Sequence, residues 1–199
     1  MEPKKTGSSA YNFSQIPAGN LIDVTDFYVR PDGSGDLFCK STNSTGCLPA
    51  GVKTVDELEI YIRDTPNIDG WKRAMVEAIG ERSIGEPSLF GGLVNFITSI
   101  PSNDSCQAEG SSRLYSLYYL TGTAWKENVF GEGAGDYIPF IIDLGQGLGV
   151  KPSLHLGKEE GVRIFVQTTT GSIIEIHQPN LPVSNVKAGR GGWHTIELE

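Results

Sequence analysis

Two stretches of this chain run through the same plan in the same order. Gly85-Glu86-Pro87-Ser88-Leu89 opens the first, and Val150-Lys151-Pro152-Ser153-Leu154 opens the second. Each leads through a glycine turn to an apolar run, Leu93-Val94-Asn95-Phe96-Ile97-Thr98 in one and Val162-Arg163-Ile164-Phe165-Val166-Gln167 in the other. A turn of small residues follows, then a last run: Arg113-Leu114-Tyr115-Ser116-Leu117, or Ser172-Ile173-Ile174-Glu175-Ile176. A Pro-led strand, hairpin, strand, turn and strand is the plan of a propeller blade, which buries its faces against the next blade. The competing reading is two ordinary meanders with a chance Pro-Ser-Leu match.

The rest of the chain has the same texture. It holds 25 Gly and 11 Pro in 199 residues, as expected of short strands joined by many turns. Runs at 26–30 and 37–40 flank Pro31-Asp32-Gly33-Ser34-Gly35-Asp36, a hairpin signal with Asp-Gly at the turn. Further strand-like runs fall at 74–78, 93–100, 113–120, 137–143, 162–168 and 172–177. Residues 113–120 are apolar on both alternating sets, so both faces of that strand are expected to be covered. One helix is expected, over 54–62. Thr54 caps it, Glu57 completes a capping box, Val55, Leu58 and Ile62 share a face, and Pro66 ends it.

The expected fold is all-β, mainly β with one short helix, as a partial β-propeller of antiparallel blades. Residues 1–20 read as an N-terminal tail or extended entry segment. Residues 21–199 read as one incomplete propeller module, about two to three blades plus a helix-containing insertion. A closed ring of six or seven blades needs about 40–45 residues per blade, more than this sequence supplies. The chain is therefore expected to be a fragment or one partner of a split protein, paired through its sheet edges with another chain that supplies the missing blades, within a larger assembly.

Charge narrows the partners. The formal net charge is −8, and no basic cluster exceeds the pairs Lys4-Lys5 and Lys72-Arg73. A phosphate backbone or an anionic membrane surface needs a positive stripe, so neither is an expected partner. No stretch approaches the roughly 20 apolar residues of a membrane span. Met1-Glu2-Pro3-Lys4-Lys5 is not followed by an apolar core, so it does not read as a signal peptide, and an export signal is expected on sequence outside this chain.

Few residues suggest chemistry. Cys39 and Cys47 bracket a polar loop, and their spacing suits a disulfide closing it; two reduced thiols are the alternative. Cys106 is left over, either free or paired outside the chain. Asp32, Ser34 and Asp36 place oxygens at alternate positions, as calcium loops do. The same residues make a plain hairpin turn, with no third acidic ligand and no distal Glu. Gly145-Gln146-Gly147-Leu148-Gly149 lacks the Lys and Ser/Thr of a phosphate loop and reads as a turn. There is no G-x-S-x-G elbow, so no catalytic residue is assigned. No cofactor is assigned beyond the calcium candidate. His155 and His177 lie in or beside strand-like runs, where a structural role fits; the third histidine is His194. Trp71, Tyr115, Tyr118, Tyr119, Trp125 and Trp193 read as packing residues.

The stretch from Gly70 to Thr121 resembles the C-terminal propeller of the PilC/PilY family of type IV pilus-biogenesis proteins. The matching pieces are Gly70-Trp71, Gly80-Glu81-Arg82, Pro87 before an apolar strand, and Phe96-Ile97-Thr98-Ser99-Ile100-Pro101-Ser102-Asn103-Asp104-Ser105-Cys106. Gly110-Ser111-Ser112 then leads to Leu114-Tyr115-Ser116-Leu117 and closes at Leu120-Thr121-Gly122. Gly189-Arg190-Gly191-Gly192-Trp193 resembles the family's closing Gly-Arg-x-x-Trp, whereas 123–150 matches poorly. The resemblance implies a secreted, pilus-associated, non-enzymatic module that binds minor pilins at the tip and supports adhesion. Two other classes stand beside it. A fragment of a quinoprotein-type propeller enzyme would need an adjacent Cys pair, which is missing. A carbohydrate-binding β module would need an exposed aromatic row.

Overall fold

Apolar alternation writes strands, and a capped amphipathic run writes the helix. The computed structural model describes residues 16–40, 46–83, 85–102, 110–131, 135–156 and 162–183. The expectations for Cys106, His194, Trp193, most of the 1–20 segment and the closing Gly-Arg-x-x-Trp lie outside the described residues. The elements are β1 (Leu21–Asp23), β2 (Phe27–Val29), β3 (Leu37–Cys39), α1 (Val55–Asp64), β4 (Gly70–Lys72), β5 (Arg82–Ser83), β6 (Ser88–Phe90), β7 (Leu93–Ile100), β8 (Ser111–Tyr118), β9 (Ile141–Gln146), β10 (Ser153–Leu156), β11 (Val162–Gln167) and β12 (Ile173–Gln178). The described residues are thus mostly β with one α-helix.

The repeat seen in the sequence becomes two antiparallel meanders. Pro87 directly precedes β6 and Pro152 directly precedes β10, and β6-β7-β8 and β10-β11-β12 each pair in chain order. The first meander sits in a larger sheet. β7 and β8 pair over eight residues, from Leu93 opposite Tyr118 to Ile100 opposite Ser111. β9 adds on the far side of β8, while β5 and β6 share the other edge of β7.

β8 is covered on both faces, as its double apolar set requires. Leu114, with Ile97 and Leu144, packs against Val162, Ile164, Val166 and Ile176 of the second sheet. Tyr115 and Leu117 turn the other way, into a cluster with Val24, Tyr28, Val29, Val55, Leu58 and Phe140. Polar groups cross the seam between the two sheets. Gln178 Nε2 donates to Ser116 Oγ at 2.8 Å and to Asn95 Oδ1 at 3.2 Å, and Ser116 also bonds Asn95. All three residues are buried. Ser112 Oγ accepts from the Gly149 amide at 2.9 Å and donates to the Gly147 carbonyl at 2.5 Å. Groups buried this deeply need each other as partners, so they hold the sheets at one setting.

The β2–β3 hairpin forms around the Asp-Gly turn, with Phe27 opposite Cys39 and Val29 opposite Leu37. α1 starts at its expected cap. The Glu57 amide donates to Thr54 Oγ1 at 3.2 Å, and Glu57 Oε2 accepts from the Thr54 amide at 3.1 Å. Val55 and Leu58 are buried and Ile62 is half-buried. The helix runs on to Asp64, just short of Pro66, whose ring and missing N–H forbid continuation.

Two expected strands differ. Residues 74–78 form no strand; Arg73 is committed to buried carbonyls and Glu77 to the Tyr28 hydroxyl, as described below. The expected run 137–143 becomes a strand only from Ile141. Pro139 has no N–H for a ladder, and 138–140 makes single bonds instead, Ile138 N to the Val29 carbonyl and Ser116 N to the Phe140 carbonyl. One pairing, β1 with β4, is parallel, with the hairpin and α1 forming the crossover.

The cap geometry sets a first expectation. Thr54→Ala removes one hydrogen bond of the capping box and should lower unfolding free energy by about 1 kcal/mol. Urea titration should show the loss, and Thr54→Ser should recover most of it. Unchanged stability in Thr54→Ala would show that the box contributes nothing.

Candidate functional site

Residues 73–81 join β4 to β5 without regular structure, and charges recur at every fourth position: Arg73, Glu77 and Glu81. The usual order of a surface loop is inverted here. Arg73 and Glu81 turn inward, Glu77 stays partly exposed, and Val76 and Ile79 point out, 63% and 93% exposed. Buried charge and exposed large apolar groups are both departures that call for a cause.

Arg73 is the inner anchor. Its Nη1 donates to the carbonyls of Val24 at 2.8 Å, Gly122 at 3.2 Å and Phe27 at 3.4 Å. The guanidinium lies 4.3 Å from the ring centre of Phe140 and 5.5 Å from that of Tyr28. Burial lowers its pKa from the ordinary value, opposed by Tyr28 and Glu77. A planar fork of donors between aromatic faces suits arginine and not lysine. Beside it, the Ala74 amide donates to Thr25 Oγ1 at 2.9 Å.

Two carboxylates complete the anchoring. Glu77 accepts from the Tyr28 hydroxyl at 2.8 Å, with Lys40 Nζ 3.8 Å away. The Glu81 side chain is wholly buried and accepts from Thr98 Oγ1 at 2.6 Å, the Tyr115 hydroxyl at 2.9 Å and Arg113 Nη1 at 3.3 Å. Gly80 has φ +76°, and a Cβ there would lie 2.9 Å from Pro101 Cγ, so this turn needs glycine. A third pair of the same kind joins Tyr118 to Glu59 of α1 at 2.9 Å. Burial, then the hydrogen-bonded carboxylate, raises the pKa of Tyr28, Tyr115 and Tyr118 well above the ordinary 10.0. These phenols are fixed proton donors. Chemically, the cluster positions the segment, and Glu81 offers no face to a substrate.

The residues singled out from the sequence fall elsewhere. Asp32 Oδ1 accepts from the Ser34 amide at 3.0 Å and from Ser34 Oγ at 2.6 Å, and Ser34 Oγ accepts from the Asp36 amide at 3.0 Å. Those bonds lower the Asp32 pKa and shape the hairpin tip. Cys39 and Cys47 are joined as a disulfide across a Cα–Cα distance of 6.5 Å. An open cleft of about 390 Å³ lies beside it, lined by Leu21, Phe27, Cys47 and Tyr61 among others. His155 and His177 lie in one cross-strand row with Arg163 between them. Arg163 Nη1 bonds Glu175 Oε1 at 2.5 Å. Trp71 packs against Gly122, where a Cβ would come within 2.3 Å of its ring, and its Nε1 donates to the Tyr119 carbonyl at 2.8 Å. Among the described residues, no group of three or more His, Cys, Asp or Glu is placed to hold a metal ion, and no helix is long and apolar enough to cross a membrane.

The 73–81 anchor was not read from the sequence. Its apolar letters resemble a strand, and the signal that separates it is the four-residue recurrence of charge at 73, 77 and 81. No family model, curated protein or solved structure matches this chain.

The three phenols fix an alkaline limit. The folded protein keeps protons that the unfolded chain releases near pH 10, so their stabilising effect is complete below that pH and declines as pH rises above it. Denaturant midpoints measured from pH 8 to about pH 11 should fall at the upper end. Tyr115→Phe should be less stable at neutral pH and show a shallower fall. An identical slope in that variant would remove Tyr115 from the account.

Proposed function

We propose that this chain is a non-enzymatic extracellular binding module, which presents the 73–81 segment to a protein partner. The observation that carries this reading is the outward placement of Val76 and Ile79 on a segment anchored from beneath at its two ends by Arg73 and Glu81. A surface loop gains nothing in water by exposing two large aliphatic groups, and an anchored segment loses little freedom on docking. The potentially reactive groups beneath it are committed to structure, since Glu81 has three donors and the phenols are locked onto carboxylates. The disulfide supports an oxidising compartment.

On the residue resemblance, the partner class is the minor-pilin tip complex of type IV pili, or another chain carrying propeller blades. The repeated Pro-led meanders support reading the fold as part of a propeller, with the two sheets as neighbouring blades. Neither calcium nor any other cofactor has a part in this reading, because Asp32 and Ser34 serve the hairpin turn.

The test is a Val76→Asp/Ile79→Asp double variant, presented to immobilised minor pilins and, separately, to a propeller-bearing pilus-tip chain. Both positions are exposed, so the melting temperature should hold while affinity falls about tenfold or more. Binding that survives both changes, or wild-type protein that binds neither partner, would sink the proposal.

A further inference from the structure

The open sheet edges are not alike. β5 has two residues, and β6 has three and follows Pro87. β9 is bulged at Leu144, with Gly145 at φ 78°. β10 has four residues and follows Lys151-Pro152. Shortness, proline, lysine and bulges are the devices by which natural sheets discourage strand addition. β12 has none of them along its length, and the one proline beside it, Pro179, only follows its last residue. It is six residues long, Ile173-Ile174-Glu175-Ile176-His177-Gln178, and pairs with β11 in unbroken register. No strand lies on its outer edge among the described residues. Ile173 is 70% exposed there, while Ile176 and Gln178 face the core.

We propose that the β12 edge is a self-association surface, taking β12 of a second copy of this chain as an antiparallel strand. The choice of occupant follows from the strand's own complementarity. A two-fold axis perpendicular to the sheet keeps both core faces on one side, so inward residues pair with inward ones. Centred on Ile176, that register sets Ile176 against Ile176 of the second copy and Ile174 against Gln178 of the second copy. It also sets Glu175 opposite His177 of the second copy, twice. The neighbouring allowed register, centred on Glu175, sets two carboxylates against each other and is disfavoured. Arg163 strengthens the choice. It lies beside His177 in its own sheet and bonds Glu175, which fixes the carboxylate on the outer face, where the register sets it opposite His177 of the second copy. The product is one continuous sheet, β10-β11-β12 joined to its symmetry copy. This surface is distinct from residues 73–81, and the inference stands whether or not that segment binds pilins.

The experiment is sedimentation of the full chain over a wide concentration range, for wild type, His177→Glu and His177→Glu/Glu175→Lys. Wild type should show a reversible monomer–dimer equilibrium. His177→Glu places like charges opposite each other at both symmetric positions and should weaken the dimer about tenfold or more. The double variant sets a lysine at 175 opposite a glutamate at 177 of the second copy at both positions, replacing repulsion with opposite charges, and should recover most of the affinity. Hydrogen exchange on wild type gives a second measure that needs no variant, with β12 amides more protected as concentration rises. A wild-type chain that stays monomeric with concentration-independent exchange in β12 would overturn the proposal. So would a dimer indifferent to both variants.

Discussion

Arg73 is the interaction on which the arrangement of this molecule turns. One guanidinium serves carbonyls from the β1–β2 connection, from the start of β2 and from the turn after β8. Those backbone oxygens lie where strand ladders end and water is largely shut out. The Val24 carbonyl also accepts from the Phe27 amide, so the arginine adds a second, charge-assisted bond there and ties that turn to the one at Gly122. The same side chain supports the Phe140 and Tyr28 rings from one side, and it sets where residues 74–81 begin their path. Glu81 fixes where that path ends. Between these two anchors Val76 and Ile79 lie outside.

Much of the fold was legible because its signals are local. Asp32-Gly33 between apolar runs made the β2–β3 hairpin, Thr54 and Glu57 capped α1, and two Pro-Ser-Leu runs opened the two meanders. The disulfide was legible for the same reason, from two cysteines close in the chain around a polar loop. What was not legible depends on distant partners. The strand expected at 74–78 failed because Arg73 answers carbonyls about 50 residues away in sequence. Residues 137–140 failed as strand through Pro139, a local sign outweighed by the apolar run around it. The parallel β1–β4 pair joins three-residue strands with no periodicity to betray them. The charge recurrence at 73, 77 and 81 was visible, but only the fold shows that Arg73 and Glu81 are buried.

The two proposed surfaces arise from opposite departures from ordinary protein design. Residues 73–81 expose apolar groups from a buried anchor, whereas β12 ends a regular ladder with no strand on its outer edge among the described residues. Both lie on a framework held by buried polar seams: Asn95-Ser116-Gln178 between the sheets, and the carboxylate–phenol pairs beneath the segment. Those seams demand particular geometry where apolar contacts alone would tolerate sliding, so each surface is presented in a defined orientation.

Native-state hydrogen exchange on Arg73→Met tests the Arg73 anchor most directly. The methionine keeps an apolar stem between Tyr28 and Phe140 but supplies no donors. The account requires faster exchange confined to residues 74–81 and to the backbone around Val24, Phe27 and Gly122, with β10, β11 and β12 as protected as in wild type. Exchange unchanged in 74–81, or raised equally throughout the chain, would contradict it.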